Sequence, residues 1–395
     1  MYSKILNIIS GILFFFMTLS LGGCGRYADT ESIDLTREDK VSVHDIFSEV
    51  RIVIPETHPD YLIGTISSAE YYKGRFYLFD RKSQKVFCVD EKGQFQFKIS
   101  ARGHGPEEYV HISHMSIDSF NDQILLLEAS MQRLQAFDME GNHAATYNIT
   151  AETPLAYNWA FALNTDTLLL ISIMGDQLIF FCRDELEIIQ TEFPMAIAEG
   201  IFPFSPSDMS FYQFNNRAYY LPVLGQKVAD VTEMQPNPYF KWDFGPDNNS
   251  PGQYERLYNE LAAIGSQASV KLYQDFVGRD KIINQAILKV AETTRYKMAV
   301  VEFDEDYKNI IIDKKEGTYF VFSGFSEEIS LLYLNVSDDM ALGSPTLSGR
   351  VPEALSHRVL SSFHPSVLSE ADKKRLKDWD EMEDNPFLVV YKFKE

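Results

Sequence analysis

The chain has 395 residues, with 57 acidic against 36 basic side chains and a formal net charge of −21 at pH 7. A surface this acidic repels phosphate backbones, which excludes nucleic acid as a partner. The length exceeds the size at which one compact core stops growing, so the chain is either multidomain or built from repeats.

Residues 1–23 read as an export signal: Lys4, then the apolar run Ile12-Leu13-Phe14-Phe15-Phe16-Met17, then small residues. The run is too short for a spanning helix with stop-transfer flanks. Leu21-Gly22-Gly23-Cys24 resembles the lipobox of bacterial lipoproteins, in which cleavage precedes the cysteine and the thiol carries the lipid. Acyl chains contribute roughly 0.8 kcal/mol per buried CH₂, enough in combination to hold a soluble domain on a membrane. The expected division is a signal over 1–23, a tether over 24–45 and a folded domain over 46–395. The expected place is the bacterial cell envelope, as an outer-membrane lipoprotein facing either the periplasm or the surface.

The strongest internal signal is self-similarity. "YKGRFYLFDRKSQKVFCVDEKGQF" (72–95) aligns without a gap on "FNDQILLLEASMQRLQAFDMEGNH" (120–143). Asp80 falls on Glu128, Asp90 on Asp138 and Gly93 on Gly141; each unit reads strand, polar turn, strand, Asp-x-x-Gly turn, strand. Glycine closes such a hairpin because it accepts positive φ. Weaker echoes at 166–188, 216–231 and 296–322 share the period-two alternation and the β-branched and aromatic enrichment. Strand-rich units of this length are the signature of a β-propeller, with four-stranded blades around a channel.

The spacing predicts an all-β, six-bladed β-propeller with blades near 64–100, 112–150, 155–193, 205–245, 284–325 and from 328 onward. "EVRIVIPE" (49–56) and "NPFLVVYKFK" (385–394) are strands left over at the two ends, and their pairing would close the ring and remove exposed edges. Two segments break the pattern. Ser250-Pro251 opens a helical insertion near 251–265 with an apolar stripe, and "LSEADKKRLKDW" predicts a helix near 368–379. Cys88 and Cys182, on separate units, are expected to be buried free thiols.

In these features the chain resembles the six-bladed β-propeller lipoproteins abundant in Bacteroides and its relatives, similar to NHL-repeat propellers. The residues that carry the resemblance are the lipobox, "IFSEVRIVIPET" with "LIGTISSAEYYKGRFYLFD", the turn "GHGPEEY", close to that family's G-x-G-P-G-E-Y, and "EDNPFLVVYKFK". Glu107 stands where the family usually has a third glycine. The resemblance implies fold and compartment, and no agreed activity.

The stretch "ARGHGPEEYVHISHMSID" occupies a connection from an outermost to an innermost strand, on the face that commonly carries ligands. Arg102, His104, Glu107, Glu108 and Tyr109 are the ligand-binding candidates there. His104, His111 and His114, with the glutamates, are a candidate set for a divalent metal such as Zn²⁺; no other cofactor is expected. His111 and His114 would point to opposite faces if the strand were regular. Gly103 and Gly105 are expected to supply positive φ, and Pro106 to restrict the residue before it. Glu108 has two readings: accepting hydrogen bonds from nearby amides, or lining the channel mouth with Arg102.

Among 29 Phe, 21 Tyr and 3 Trp, Trp159, Tyr212, Trp242 and Tyr254 lie near connections and are candidates for sugar stacking. No nucleophile constellation emerges: Ser356-His357 adjoin only in sequence. The resulting reading is a membrane-anchored ligand-binding or protein-interaction propeller whose partner is a glycan, a peptide or another envelope protein. The competing reading is a metal-assisted lyase or hydrolase acting on extracellular polymer.

Overall fold

The computed structural model describes residues 32–149, 157–172, 177–192, 211–222, 225–264, 282–304, 306–331, 334–337, 339–344 and 361–395. A short helix, α1 (Val43–Ile46), leads into strand β1 (Phe47–Val53). Blade 1 follows as β2 (Ser68–Tyr72), β3 (Arg75–Asp80), β4 (Lys85–Asp90) and β5 (Phe95–Ile99). Blade 2 is β6 (His114–Asp118), β7 (Gln123–Glu128), β8 (Arg133–Asp138) and β9 (His143–Asn148). Blade 3 is β10 (Tyr157–Ala162), β11 (Thr167–Ser172), β12 (Gln177–Cys182) and β13 (Glu187–Glu192). Blade 4 is β14 (Phe211–Phe214), β15 (Arg217–Tyr220), β16 (Lys227–Asp230) and β17 (Asn237–Lys241). Helix α2 (Pro251–Ile264) then precedes blade 5: β18 (Gln285–Glu292), β19 (Tyr296–Phe303), β20 (Asp306–Asp313) and β21 (Thr318–Phe322). Blade 6 is assembled from β22 (Asn335–Ser337), β23 (Met340–Gly343) and, after helix α3 (Glu370–Asp378), β24 (Leu388–Phe393).

Each of the six sheets has four antiparallel strands, and the six form a ring, as expected from the repeat. Blade 6 takes its fourth strand from the other end of the chain. β1 lies antiparallel to β24, with Val50 opposite Tyr391 and Ile52 opposite Val389. The two leftover strands thus pair as the sequence suggested, and β1 caps the edge that β24 would otherwise expose.

Packing explains why the middle strands of the blades read as nearly continuous apolar runs. They are covered on both faces, so both alternating sets of their side chains are buried, whereas the outermost strands β5 and β9 leave one set at the surface. On β3, Phe76 and Leu78 face blade 6, beside Leu342 and Val390, while Tyr77 and Phe79 face blade 2, beside Ile124 and Leu126. On β7, Leu125 and Leu127 turn instead to Leu168 and Leu170 of blade 3. Apolar clusters of this kind fill every junction around the ring.

The Asp-x-x-Gly turns do more than close hairpins. Asp90 Oδ1 accepts from the amides of Lys92 (2.8 Å) and Gln94 (2.9 Å), and Asp138 Oδ1 accepts from Glu140 (3.0 Å) and Asn142 (2.8 Å). Gly93 (φ +84°) and Gly141 (φ +85°) are left-handed, and both also touch the preceding blade. A Cβ at Gly93 would collide with the carbonyl of Ile54, and one at Gly141 would lie 2.5 Å from Phe97 Cδ2. Each turn is therefore a tooth that meshes with the outer strand of its neighbour.

The segment expected to be a free tether up to residue 45 is part of the fold from Ile33 onward. Its side chains alternate: Ile33 and Leu35 are buried while Ser32, Asp34 and Thr36 are exposed. Ile33 and Leu35 complete the cluster between blades 4 and 5, and Val41, Val43 and Ile46 that between blades 5 and 6. The backbone of Asp39 donates to Val321 O (2.8 Å), and Asp39 Oδ2 accepts from Val321 N (2.9 Å), so the segment also covers the outer edge of β21. Apolar side chains matching two junctions, together with a free strand edge, turn the linker into a strap.

The predicted helices form. Ser250 Oγ accepts from Gln253 N (3.3 Å) at the start of α2, and Ser369 Oγ caps α3 through Asp372 N (3.1 Å). Cys88 is a buried free thiol; Cys182 is also free but only half-buried, because it ends β12 where the sheet opens to solvent. Among the described residues no helix is long and apolar enough to cross a membrane.

Gly141→Ala is expected to cost more stability than Gly74→Ala. Gly74 is left-handed in open space, so its alanine costs about 1 kcal/mol. The clash with Phe97 adds about 1–3 kcal/mol at Gly141. Denaturant midpoints of the two variants check the difference.

Candidate functional site

The turn between β5 and β6 is built around two inward-pointing residues. Tyr109 is fully buried, and its hydroxyl donates to Gln84 O (2.8 Å) at the junction of blades 1 and 2. Its backbone pairs with the incoming chain: Tyr109 N donates to Ala101 O (2.9 Å) and Gly103 N to Tyr109 O (2.9 Å). Burial pushes the phenol up to about 12, so it stays neutral. Glu108 Oε2 accepts from Gly105 N (2.7 Å), and the Glu108 carbonyl accepts from Arg133 Nη2 (2.8 Å) and Gln135 Nε2 (3.1 Å). Of the two readings of Glu108, the amide-accepting one describes its contacts.

The glycines of this turn serve a purpose other than the expected one. Neither Gly103 nor Gly105 is among the left-handed glycines of the chain. They are needed for space: a Cβ on Gly103 would overlap the Glu108 carboxylate, and one on Gly105 would come within 3.0 Å of Oε2. "GHGPEEY" thus folds its backbone around its own carboxylate.

Carboxylates beneath the connections hold them in place. Asp80, ending β3, accepts from Gly64 N (2.9 Å), Lys82 N (3.0 Å) and Ser83 N (3.2 Å). Glu128, its repeat equivalent ending β7, accepts from Val110 N (2.6 Å) and pairs with Arg133 (2.6 Å). Both carboxylates are fully buried. Charge-assisted bonds of this kind are among the stronger ones available to a protein.

What the turn leaves free is narrower than the candidate list. Arg102, His104 and Glu107 are exposed and have no hydrogen bond or ion pair among the described residues, while Glu108 and Tyr109 are committed to the scaffold. The three histidines part company. His104 and His111 are exposed, whereas His114 is buried with its ring edge-on to Phe161, centroids 5.0 Å apart. Among the described residues no group of three or more His, Cys, Asp or Glu is placed to hold a metal ion.

The aromatic candidates are mostly interior. Trp159 and Trp242 are buried in the clusters flanking blade 4. Tyr254 is half-buried, with its hydroxyl accepting from Asn249 Nδ2 (3.3 Å), and Tyr212 stacks on Tyr219 at 5.0 Å. A different aromatic group reaches solvent: His58, Tyr61 and Phe95 stack in series, with centroids 4.8 and 4.0 Å apart. Leu62 beside them is 54% exposed. Phe95 begins β5, and the turn that carries Arg102, His104 and Glu107 starts just past its end. Aromatic stack and polar trio therefore lie at opposite ends of one strand, whose five residues span about 13 Å. The sequence signal for the stack, "HPDY", looks like any polar loop.

Two buried ionisable features also escape sequence reading. Between blades 4 and 5, Glu292 accepts from Lys297 Nζ (2.7 Å), Lys314 Nζ (2.8 Å), Tyr239 OH (2.9 Å) and Tyr212 OH (3.2 Å). Desolvation lowers the Lys297 ammonium from its usual value against the pull of Glu292, and Lys297 also lies over the Tyr239 ring at 4.2 Å. These five residues come from separate strands and turns of two blades, and together they lock the junction. The second feature is Glu302, on the face of β19 that carries Met298 and Val300. Its buried carboxyl has no hydrogen bond or ion pair among the described residues, and burial pushes it up to about 7.

A family model described as "Domain of unknown function (DUF4934)" matches residues 30–392. Among solved structures, a candidate exported protein from Bacteroides fragilis superposes with a TM-score of 0.68 at 16% identity, covering 91% of this chain and 98% of that one. A member of the DUF4221 family from Bacteroides vulgatus superposes with a TM-score of 0.51 at 12% identity, covering 88% and 98%. At these identities the likeness is one of fold. No curated protein matches the chain.

Two outcomes follow from the geometry. Glu108→Ala leaves the Gly105 amide without its acceptor and is expected to cost about 1–3 kcal/mol, whereas Arg102→Ala, His104→Ala and Glu107→Ala each stay within about 0.5 kcal/mol. Chemical denaturation of the four variants separates scaffold from surface. For Glu302, the folded carboxyl titrates near 7 against 4.5 when free, so the folded state holds the extra proton and stability falls as pH rises through that window. Glu302→Gln abolishes that loss, worth about 3 kcal/mol between pH 4.5 and pH 8. Unfolding curves across that range would show the wild type weakening and the variant flat.

Proposed function

Because the chain belongs to the DUF4934 family, a family defined without an activity, we propose its function from the surface: an envelope-anchored propeller that binds a glycan or an extended peptide along β5 of blade 1. The observation that carries this reading is the pairing of a half-buried aromatic stack, whose outer member His58 is exposed, with an uncommitted Arg102, His104 and Glu107 on either side of one outer strand. The outer ring of the stack offers a flat face to a sugar or an aromatic side chain, and the polar trio supplies donors and acceptors that fix orientation. The frame beneath is braced, because the buried carboxylates of Asp80 and Glu128 hold the chain entering and leaving blade 1, so binding costs little ordering.

Anchoring is the second part of the proposal. The lipobox supports cleavage before Cys24 and attachment of acyl chains to its thiol, which would keep the ring at a membrane surface outside the cytoplasm. Metabolic labelling with a fatty-acid analogue should mark the wild-type chain and leave Cys24→Ser unmarked.

For ligand binding, a panel of soluble glycans and peptides is screened by thermal shift, since a ligand selective for the native state raises the melting temperature. The expected result is a shift that His58→Ala and Arg102→Ala, both at exposed positions, each abolish with little change in the unliganded melting temperature. Hits that survive both substitutions would place the ligand elsewhere and reject the blade 1 site.

A further inference from the structure

A tether attached upstream of the strap must leave the ring where the strap begins. That point is well defined. Ile33 N donates to Asp243 O (2.8 Å), just past β17, and Ser32 lies so close to Gly245 that a Cβ there would meet Ser32 Oγ at 2.5 Å. Further along, Glu38 accepts from Ser323 N (3.0 Å) and Lys308 Nζ (2.7 Å), and Glu327 accepts from Val43 N (2.9 Å) and Ser42 Oγ (2.6 Å). With five apolar side chains buried in two junctions as well, the strap is fastened along its whole length.

Cys24 precedes Ile33 by nine residues. Fully extended, that length of chain reaches roughly 30 Å. A globular unit of this size has a radius of gyration of about 21 Å and a breadth of about 50 Å. The tether is therefore shorter than the body it holds, and the ring cannot present all sides to the membrane equally.

We propose that the phospholipid bilayer is met by one particular side of the ring, the rim over blades 4 and 5, with the turn between blades 1 and 2 on the side that faces away. The proposal rests on lipid attachment at Cys24. The second half follows from symmetry: in a six-bladed ring the junction of blades 4 and 5 lies three blades from that of blades 1 and 2, a half-turn. Both are connections from an outermost to an innermost strand, so they share one face of the ring. The net charge of −21 further disfavours collapse of the whole face onto an anionic leaflet. The bilayer thus takes the strap side, and Arg102, His104 and Glu107 are held where a soluble partner arrives.

The test uses the full chain made in a bacterial host that processes lipoproteins. It is reconstituted into vesicles of phosphatidylethanolamine and anionic phosphatidylglycerol that carry a small fraction of lipid with a photo-crosslinking headgroup. Mass spectrometry first establishes whether Cys24 carries acyl chains; their absence would reject the anchor and, with it, this orientation. With the lipid present, crosslinked peptides should come severalfold more often from residues 32–40, 243–248 and 315–319 than from 94–107. A long Gly/Ser insertion between residues 31 and 32 should erase that bias by freeing the ring to rotate. Even crosslinking in the wild type, or enrichment at 94–107, would overturn the orientation while leaving the lipid anchor standing.

Discussion

The ring depends on one pairing, that of β1 with β24. Five blades are local meanders, each completed by a continuous piece of chain. Blade 6 is different, because its outermost strand comes from the opposite end of the sequence. Without it, β24 would present an open row of amides and carbonyls, and the cluster between blades 6 and 1 would lose Val53. Every junction passes its packing to the next, so an opening there is felt around the circle. The strap adds to this lock by fixing the chain just ahead of β1 to blades 4, 5 and 6.

Much of this was legible, for identifiable reasons. Strands buried on both faces must be apolar throughout, and that requirement writes the blades into the sequence. The gapless match of Gly93 on Gly141 survived because each position is constrained twice, by φ and by the neighbouring blade. Even the closure could be read, since two unpaired strands at opposite ends have few other destinations.

Where reading stopped, the cause was distance in the chain. Ile33, Leu35, Val41 and Val43 do alternate with polar residues, but their partners lie in blades 4 to 6, hundreds of residues on, and the acids between them suggest a solvated linker. The Glu292 network joins Tyr212, Tyr239, Lys297 and Lys314, none of which is remarkable beside its sequence neighbours. Gly103 and Gly105 were correctly assigned to a turn and given the wrong reason, because the carboxylate that needs their space is recognisable only once Glu108 is seen folded inward. For the histidines, sequence proximity misled: His114 belongs to a strand and faces Phe161, while His104 belongs to the turn.

The turn between β5 and β6 divides its residues by direction, and that division bears on how such a surface changes over generations. Its hydrogen bonds run through backbone atoms, Glu108 and Tyr109, all directed inward. Arg102, His104 and Glu107 carry none of them. Selection can therefore rewrite these three positions without rebuilding the loop, and a new specificity need not pass through an unfolded ancestor. The same separation makes the turn a natural place to graft randomised side chains when a binding surface is sought on an otherwise unaltered frame.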